Sequence, residues 1–263
     1  MKEFPAMSRI ICIANQKGGV GKTTTSVNLA SSLAAAEKRV LLVDIDPQGN
    51  ATSGVGIDKN GLTNSVYDLI INDEDPAGML LETELKSLQI IPATPDLAGA
   101  ELELVELADR ENKLKKILHP LKDRYEYIII DCPPSLGLLT INAMTAADSV
   151  LVPLQTEFYA MEGLSQIVRT IKLVQKGLNP ALQIEGILLT MFDGRNNLSR
   201  QVAEEVRTHF GDQVFRTVIP RNVRLSEAPS HGKPIILYDI TSRGAAAYLE
   251  LAQELLQRGG RNG

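Results

Sequence analysis

The chain has no tryptophan, only 4% aromatic residues, and just two cysteines and three histidines in 263 residues. Each shortage removes a class of function. Cys12 and Cys132 lie inside apolar strand-like runs (RIICIA, YIIIDC), so neither a disulfide framework nor a zinc cage is expected, and a reduced cytosolic setting is. His119, His209 and His231 stand apart, none at metal-ligand spacing, and no GxSxG elbow accompanies them. Metallohydrolase and serine-hydrolase chemistry therefore drop out. No apolar run approaches the roughly 18 residues that a membrane span needs, and the opening MKEFPAMS is too short and polar for a signal peptide. Basic charge is also scarce. With 27 Lys+Arg against 32 Asp+Glu the net charge is −5, so any nucleic-acid contact needs a local basic patch working against the overall field.

What is present is a recurring alternation. Strand-like runs rich in β-branched residues occur at 9–14, 39–46, 88–93, 127–132, 149–154, 184–192 and 214–220. They lack clean polar alternation, which marks strands buried on both faces of a parallel sheet. Helical patterns fall between them. One covers 22–37, with Val27, Ala30, Leu33 and Ala34 on one face; another repeats Leu104, Leu107, Leu114, Leu118 and Leu121; a third spans 160–177. The order predicts a single α/β domain over 9–258, a mostly parallel twisted sheet with helices on both faces. Residues 1–8 are expected to be a short extension, with Met7 an alternative start, and 259–263 a flexible tail.

The first strand runs into ANQKGGVGKTTTSVN (14–28), which holds GxxxxGK[ST] between a strand and a helix. That is the context of a phosphate-binding loop. Gly18, Gly19, Val20 and Gly21 let backbone N–H groups face phosphate oxygens, and the helix adds its positive N-terminal end. Lys22 is expected to bridge the terminal phosphates, and Thr23, followed by Thr24, to bind Mg²⁺ through its hydroxyl. Asp131, at the end of the apolar strand YIIID, is the matching acid for the metal. Asp44 and Asp46 form a second carboxylate pair at a strand end, where α/β folds bind ligands, so one of them is placed to orient a water. An N-cap or turn role is the alternative for each. Lys17 remains. It starts the loop, where it does not easily fold back on its own phosphates, and its glycine neighbours leave room for a second surface. It is either an in-trans lysine, acting as an arginine finger does elsewhere, or a solvated loop lysine.

Four blocks together, KGGVGKTT (17–24), DIDPQGNATSG (44–54), IIIDCPPSLGLLTINA (129–143) and VIPRNVRLSEAPSHGKPI (218–235), closely resemble the ParA/Soj chromosome-partitioning ATPases of the deviant Walker A class, over roughly 9–257. The resemblance implies an ATP- and Mg²⁺-dependent ATPase, slow and stimulated by its partner. It makes Lys17 the lysine that reaches the other subunit's ATP in a sandwich homodimer, and puts Gly18 at the subunit contact. Thr23 then binds Mg²⁺ directly and Asp131 through water; Asp46 positions the hydrolytic water, Asp44 supports the metal's surroundings, and Pro220 and Asn222 contact adenine. Implied partners are a second copy, non-specific double-stranded DNA, a ParB-type centromere-binding protein acting through a basic N-terminal segment, and a replication initiator. The expected place is the cytoplasm, on the nucleoid. The extra N-terminal DNA-binding segment of plasmid-type relatives is not found, so the short chromosomal type is expected.

Composition alone does not predict DNA binding. Between residues 193 and 243, eight Arg and Lys stand against six Asp and Glu, an excess of two. Arg195 and Arg224 match family positions implicated in DNA contact, and dimerisation would double a weak patch. A MinD-like positioning ATPase, acting on membrane or protein cargo, is the competing reading. The last helix argues against the membrane version, because AAAYLELAQELLQR carries Glu250 and Glu254 rather than a basic face and is expected to pack Leu249, Ala252 and Leu256 inward. A nucleotide-gated regulator of replication initiation is a third.

Overall fold

The apolar runs become a seven-stranded sheet in a computed structural model that describes residues 8–259. Its strands are β1 (Arg9–Ile13), β2 (Val40–Asp44), β3 (Leu81–Glu82), β4 (Leu88–Ile91), β5 (Tyr127–Asp131), β6 (Ser149–Gln155) and β7 (Gln183–Thr190), in the order β3-β4-β2-β5-β1-β6-β7. All pairings are parallel except that of β3 with β4. Strand alternation divides the core into two layers. Ile10, Cys12, Leu41, Val43, Ile128 and Ile130 pack on one face, while Ile11, Ile13, Val40, Leu42 and Ile129 pack on the other. Both faces are apolar, so both must be covered by helices.

The helices are α1 (Lys22–Ala35), α2 (Asn50–Gly54), α3 (Val66–Ile71), α4 (Leu97–Glu106), α5 (Lys113–Leu118), α6 (Leu138–Ala146), α7 (Ala160–Gly177), α8 (Asn197–Phe210), α9 (Val223–Glu227), α10 (Ile235–Tyr238) and α11 (Arg243–Gly259). Helices α3 to α8 supply core residues to the first face; α1, α2 and α9 to α11 supply the second. Helix α1 begins at Lys22 because Gly21, at φ 89°, turns the chain in the left-handed region that glycine adopts freely. The expected α/β class, with a mostly parallel sheet covered on both sides, is what forms.

Four expectations change. The run 214–220 is no sheet strand. It follows β7 through bridges at Ile187–Val214 and Phe192–Pro220, but between them the N–H groups of Arg216 and Thr217 donate to the Glu254 carboxylate (both 2.9 Å). The leucine series 104–121 is not one helix: Leu104 lies in α4 and Leu114 and Leu118 in α5, with the break where Asp109 takes a positive φ of 55°, and Leu107 and Leu121 lie beyond the ends of these helices. In α11 the inward face is Tyr248, Leu251, Ala252 and Leu255; Leu249 is 37% exposed, and Glu254 is buried. Gly259, assigned to the tail, still belongs to α11. Ser8 is described; the rest of the expected extension, 1–7, and of the tail, 260–263, lies outside the described residues.

Candidate functional site

The phosphate loop hangs between β1 and α1 and is tied down at both ends. Asn15 Nδ2 donates to the Pro153 carbonyl of β6 (2.7 Å), and its Oδ1 accepts the Lys17 N–H (3.0 Å). At the far end Thr190 Oγ1, the last residue of β7, donates to the Val20 carbonyl (2.8 Å). Gly19 and Gly21 have φ of 72° and 89°, so the turn needs glycine there. At Gly18 the nearest atom to an added Cβ is Pro134 Cβ at 3.9 Å, and at Gly19 nothing lies within 4 Å. The outer rim of the loop is therefore open.

Its two lysines part company. Lys22 is buried, 6% exposed, with Nζ donating to the Lys17 carbonyl (3.2 Å). Burial lowers its pKa from the ordinary lysine value, against the pull of Asp131, Cys132 and Asp46. A cation stripped of water in this way is suited to an anionic ligand. Lys17 points outward and pairs with Glu157 (2.9 Å), in the turn between β6 and α7.

Facing Lys22 are the carboxylates. Asp44 and Asp131 end neighbouring strands in register, and both are fully buried. Ser26 Oγ donates to Asp131 Oδ1 (2.7 Å), the Thr23 hydroxyl faces the same carboxyl, and Asp131 Oδ2 is buried without a hydrogen-bond partner. Burial first, and then the nearby Asp44, push Asp131 up to about 8; burial pushes Asp44 up to about 6. An orphaned carboxylate oxygen in such a place fits a divalent cation, which would supply the missing charge. Among the described residues no three His, Cys, Asp or Glu side chains form a cage. Mg²⁺ takes one or two protein ligands and completes its shell with phosphate and water, a need that the Thr23 hydroxyl and the Asp131 carboxyl meet.

Asp44 has another occupation. It accepts from Thr52 N (2.8 Å), Thr52 Oγ1 (2.7 Å) and Asp46 N (3.1 Å), so it fixes the loop that carries Asp46. Asp46 lies beyond the end of β2, so strand alternation does not reach it. Its Oδ1 accepts the Gln48 N–H (3.0 Å), in a turn closed by Gly49 N to Asp46 O (2.8 Å). It stays close enough to Lys22 and Asp131 to act on both electrostatically.

The Phe192–Pro220 bridge brings 220–222 to the end of β7, which holds Val20, and Asn222 Oδ1 is buried without a partner. The same bridge brings the Arg195 turn toward Arg221, whose charge is felt at Asp193. Both predicted DNA arginines are paired at home: Arg195, 92% exposed, with Asp193 (3.1 Å), and Arg224 with Glu227 (2.9 Å) and Asp239 (3.5 Å). Residues that the sequence reading missed are the fasteners: Asn15, Ser26, Thr52, Glu157 and Thr190. Ser26 had a signal, one helical turn after Thr23 on the face toward β5; the others depend on long-range contacts.

The match to known proteins agrees with this geometry. A family model described as an AAA domain covers residues 8–184. The chromosome partitioning protein ParA of Myxococcus xanthus is 63% identical over 255 residues, 97% of this chain and 90% of that protein. The chain belongs to the ParA/Soj chromosome-partitioning ATPases. The sporulation initiation inhibitor protein Soj of Bacillus subtilis is also 63% identical, over 96% of this chain and all of that protein. Among solved structures, a protein of Mycobacterium smegmatis called cobyrinic acid a,c-diamide synthase, with bound ADP and magnesium, is 40% identical (TM-score 0.85; 98% of this chain, 97% of that chain). The cell division ATPase MinD of Pyrococcus furiosus is 28% identical (TM-score 0.79; 96% and 100%). The higher identity, over the whole length, lies with ParA and Soj. No helix among the described residues is long and apolar enough to cross a membrane.

Proposed function

We propose that this partition ATPase is a switch closed by ATP and Mg²⁺: two copies join face to face over two nucleotides, and the dimer holds DNA without sequence preference until hydrolysis releases it. The observation that carries this reading is the division between the two lysines. Lys22 is buried and turned inward, so the loop's own phosphate lysine is already supplied, while Lys17 stands at an open rim and reaches away from its own loop. A cation so placed serves a phosphate held by a second subunit.

Bound ATP with Mg²⁺ supplies the phosphoanhydride and the charge that neutralises it. The protein's part is positioning. Backbone N–H groups of residues 18–23, with Lys22, hold the phosphates; Thr23 and Asp131 hold the metal, Asp131 through water. Asp46 orients the attacking water, and Asp44, locked by Thr52, keeps Asp46 in place. Pro220 and Asn222 contact the adenine. Turnover is slow alone and is accelerated by a ParB-type partner through a short basic segment. Arg195 and Arg224, each carrying a carboxylate in the single subunit, contribute phosphate contacts when dimerisation brings two copies of this surface together.

Co-sedimentation with an unrelated DNA duplex in ATP, in ADP and without nucleotide tests the reading. Binding in ATP alone, weakened steeply by salt and lost in Lys17→Ala, is the expected result. No binding in any state would withdraw the DNA claim and leave a positioning ATPase for protein cargo.

A further inference from the structure

Lys17 is the lysine of the phosphate loop that has a carboxylate partner; none pairs with Lys22 among the described residues. The partner, Glu157, comes from another part of the chain, and both ends of the contact are fixed. Asn15 clamps the Lys17 backbone to β6. The turn carrying Glu157 is closed by Glu157 N to Gln155 O and Ala160 N to Glu157 O (both 2.9 Å), and Gln155 Nε2 holds the other carboxylate oxygen. A lysine that serves a second subunit must first leave this carboxylate.

We propose that Glu157 is a positioning residue that parks Lys17 in the uncombined subunit and sets how readily the ATP-bound form dimerises. This rests on the reading that Lys17 acts in trans. The side chains of the pair are 41% and 50% exposed, so the hold is weak by design of its surroundings: it biases the lysine without locking it. The same turn presents Phe158 and Tyr159, 74% and 63% exposed, packed edge to face at 5.1 Å. Aromatic side chains are enriched among the anchors of subunit contacts, and this pair is free to be one. The restraint on Lys17 and an apolar surface that a second copy can bury thus fall on adjacent residues, which couples docking to release.

An exposed ion pair of this kind is worth about 1.4- to 5-fold in an equilibrium. Two are broken per dimer, so removing the restraint tightens dimerisation about 2- to 25-fold. The test is sedimentation equilibrium of the full chain with a non-hydrolysable ATP analogue and Mg²⁺, for the wild type, Glu157→Gln, Lys17→Gln and the double variant. Glu157→Gln is expected to lower the dimer Kd by that factor, with the gain shrinking near 0.5 M salt as the pair is screened, while ADP affinity of the monomer stays the same. In the Lys17→Gln background the Glu157 change is expected to do nothing. A Kd unchanged or raised in Glu157→Gln overturns the restraint, as does a Glu157 effect that survives the loss of Lys17. If Lys17→Gln dimerises as tightly as the wild type, the in-trans reading itself fails, which is a different result.

Discussion

Replacing Glu254 by glutamine isolates a contact that no pattern in α11 announces. The carboxylate is buried and accepts four hydrogen bonds: Arg216 N (2.9 Å) and Arg258 Nη2 (2.9 Å) on one oxygen, Thr217 N (2.9 Å) and Thr217 Oγ1 (2.8 Å) on the other. Arg258 also lies over the Phe215 ring at 4.1 Å, so one helix end pins the whole start of the segment leading to Pro220 and Asn222. Glutamine keeps the shape and one acceptor. It turns an N–H2 group toward one of the buried backbone donors and leaves the Arg258 guanidinium bonded to an uncharged acceptor. At about 1.5 kcal/mol for each of two such losses the variant is about 3 kcal/mol less stable, or about 6–12 °C in Tm for a domain of this size.

The pH dependence fixes the cause. Burial works to raise the Glu254 pKa, but the donors from Thr217, Arg216 and Arg258 outweigh it and hold the carboxyl below its ordinary value. A group lowered by folding stabilises fully above its unfolded pKa, about 4.3, and loses that contribution as pH falls through the folded value. Thermal melts followed by circular dichroism should therefore show a constant gap between wild type and Glu254→Gln from pH 8 to about 5.5, closing below about 4. A gap under about 2 °C at neutral pH, or one that persists unchanged at low pH, would refute the reasoning.

Further outcomes follow from the site. Asp46→Ala should retain nucleotide and dimerise but stop turning over, measured as phosphate release; a normal rate would remove Asp46 from its assigned role. Gly18→Val should bind nucleotide with wild-type affinity, because an added Cβ meets only Pro134 Cβ at 3.9 Å, yet fail to dimerise; a persisting dimer by light scattering would contradict the proposed contact. Gly186→Ala should cost about 1–3 kcal/mol in urea unfolding, since its Cβ would lie 2.5 Å from Phe215 Cε2 and 3.0 Å from the Gln213 carbonyl. Wild-type stability there would mean that Phe215 moves aside freely.

What the sequence made legible was whatever depends on neighbours in the chain. The loop between β1 and α1, the acids ending β2 and β5, and the full extent of α7 follow from local pattern, and Asp46 and Asp131 lie close enough to Lys22 to act on it electrostatically. Residues 214–220 look like a strand because Val, Phe and Ile prefer one; Phe215 N and Ile219 N do donate to Ile187 and Leu189 of β7, but the Thr217 N–H between them goes to a buried glutamate 37 residues along the chain, which breaks the ladder. Glu254 itself reads as a solvated charge paired with Arg258 one turn on, since periodicity places it without revealing the three donors of Arg216 and Thr217 across the fold. The short strand β3 is too brief to carry an alternation of its own. Asp44 shows the same limit at the site: its place at a strand end is legible, whereas its capture by Thr52, eight residues on, is not.

Sedimentation equilibrium of the wild type and Lys17→Ala, each in ATP with Mg²⁺ and in ADP with Mg²⁺, shows whether ATP closes a dimer through Lys17. A dimer is expected for the wild type in ATP and monomers in the other three samples, with nucleotide bound in all four. A Lys17→Ala dimer in ATP, or a wild type that stays monomeric with ATP bound, would contradict it.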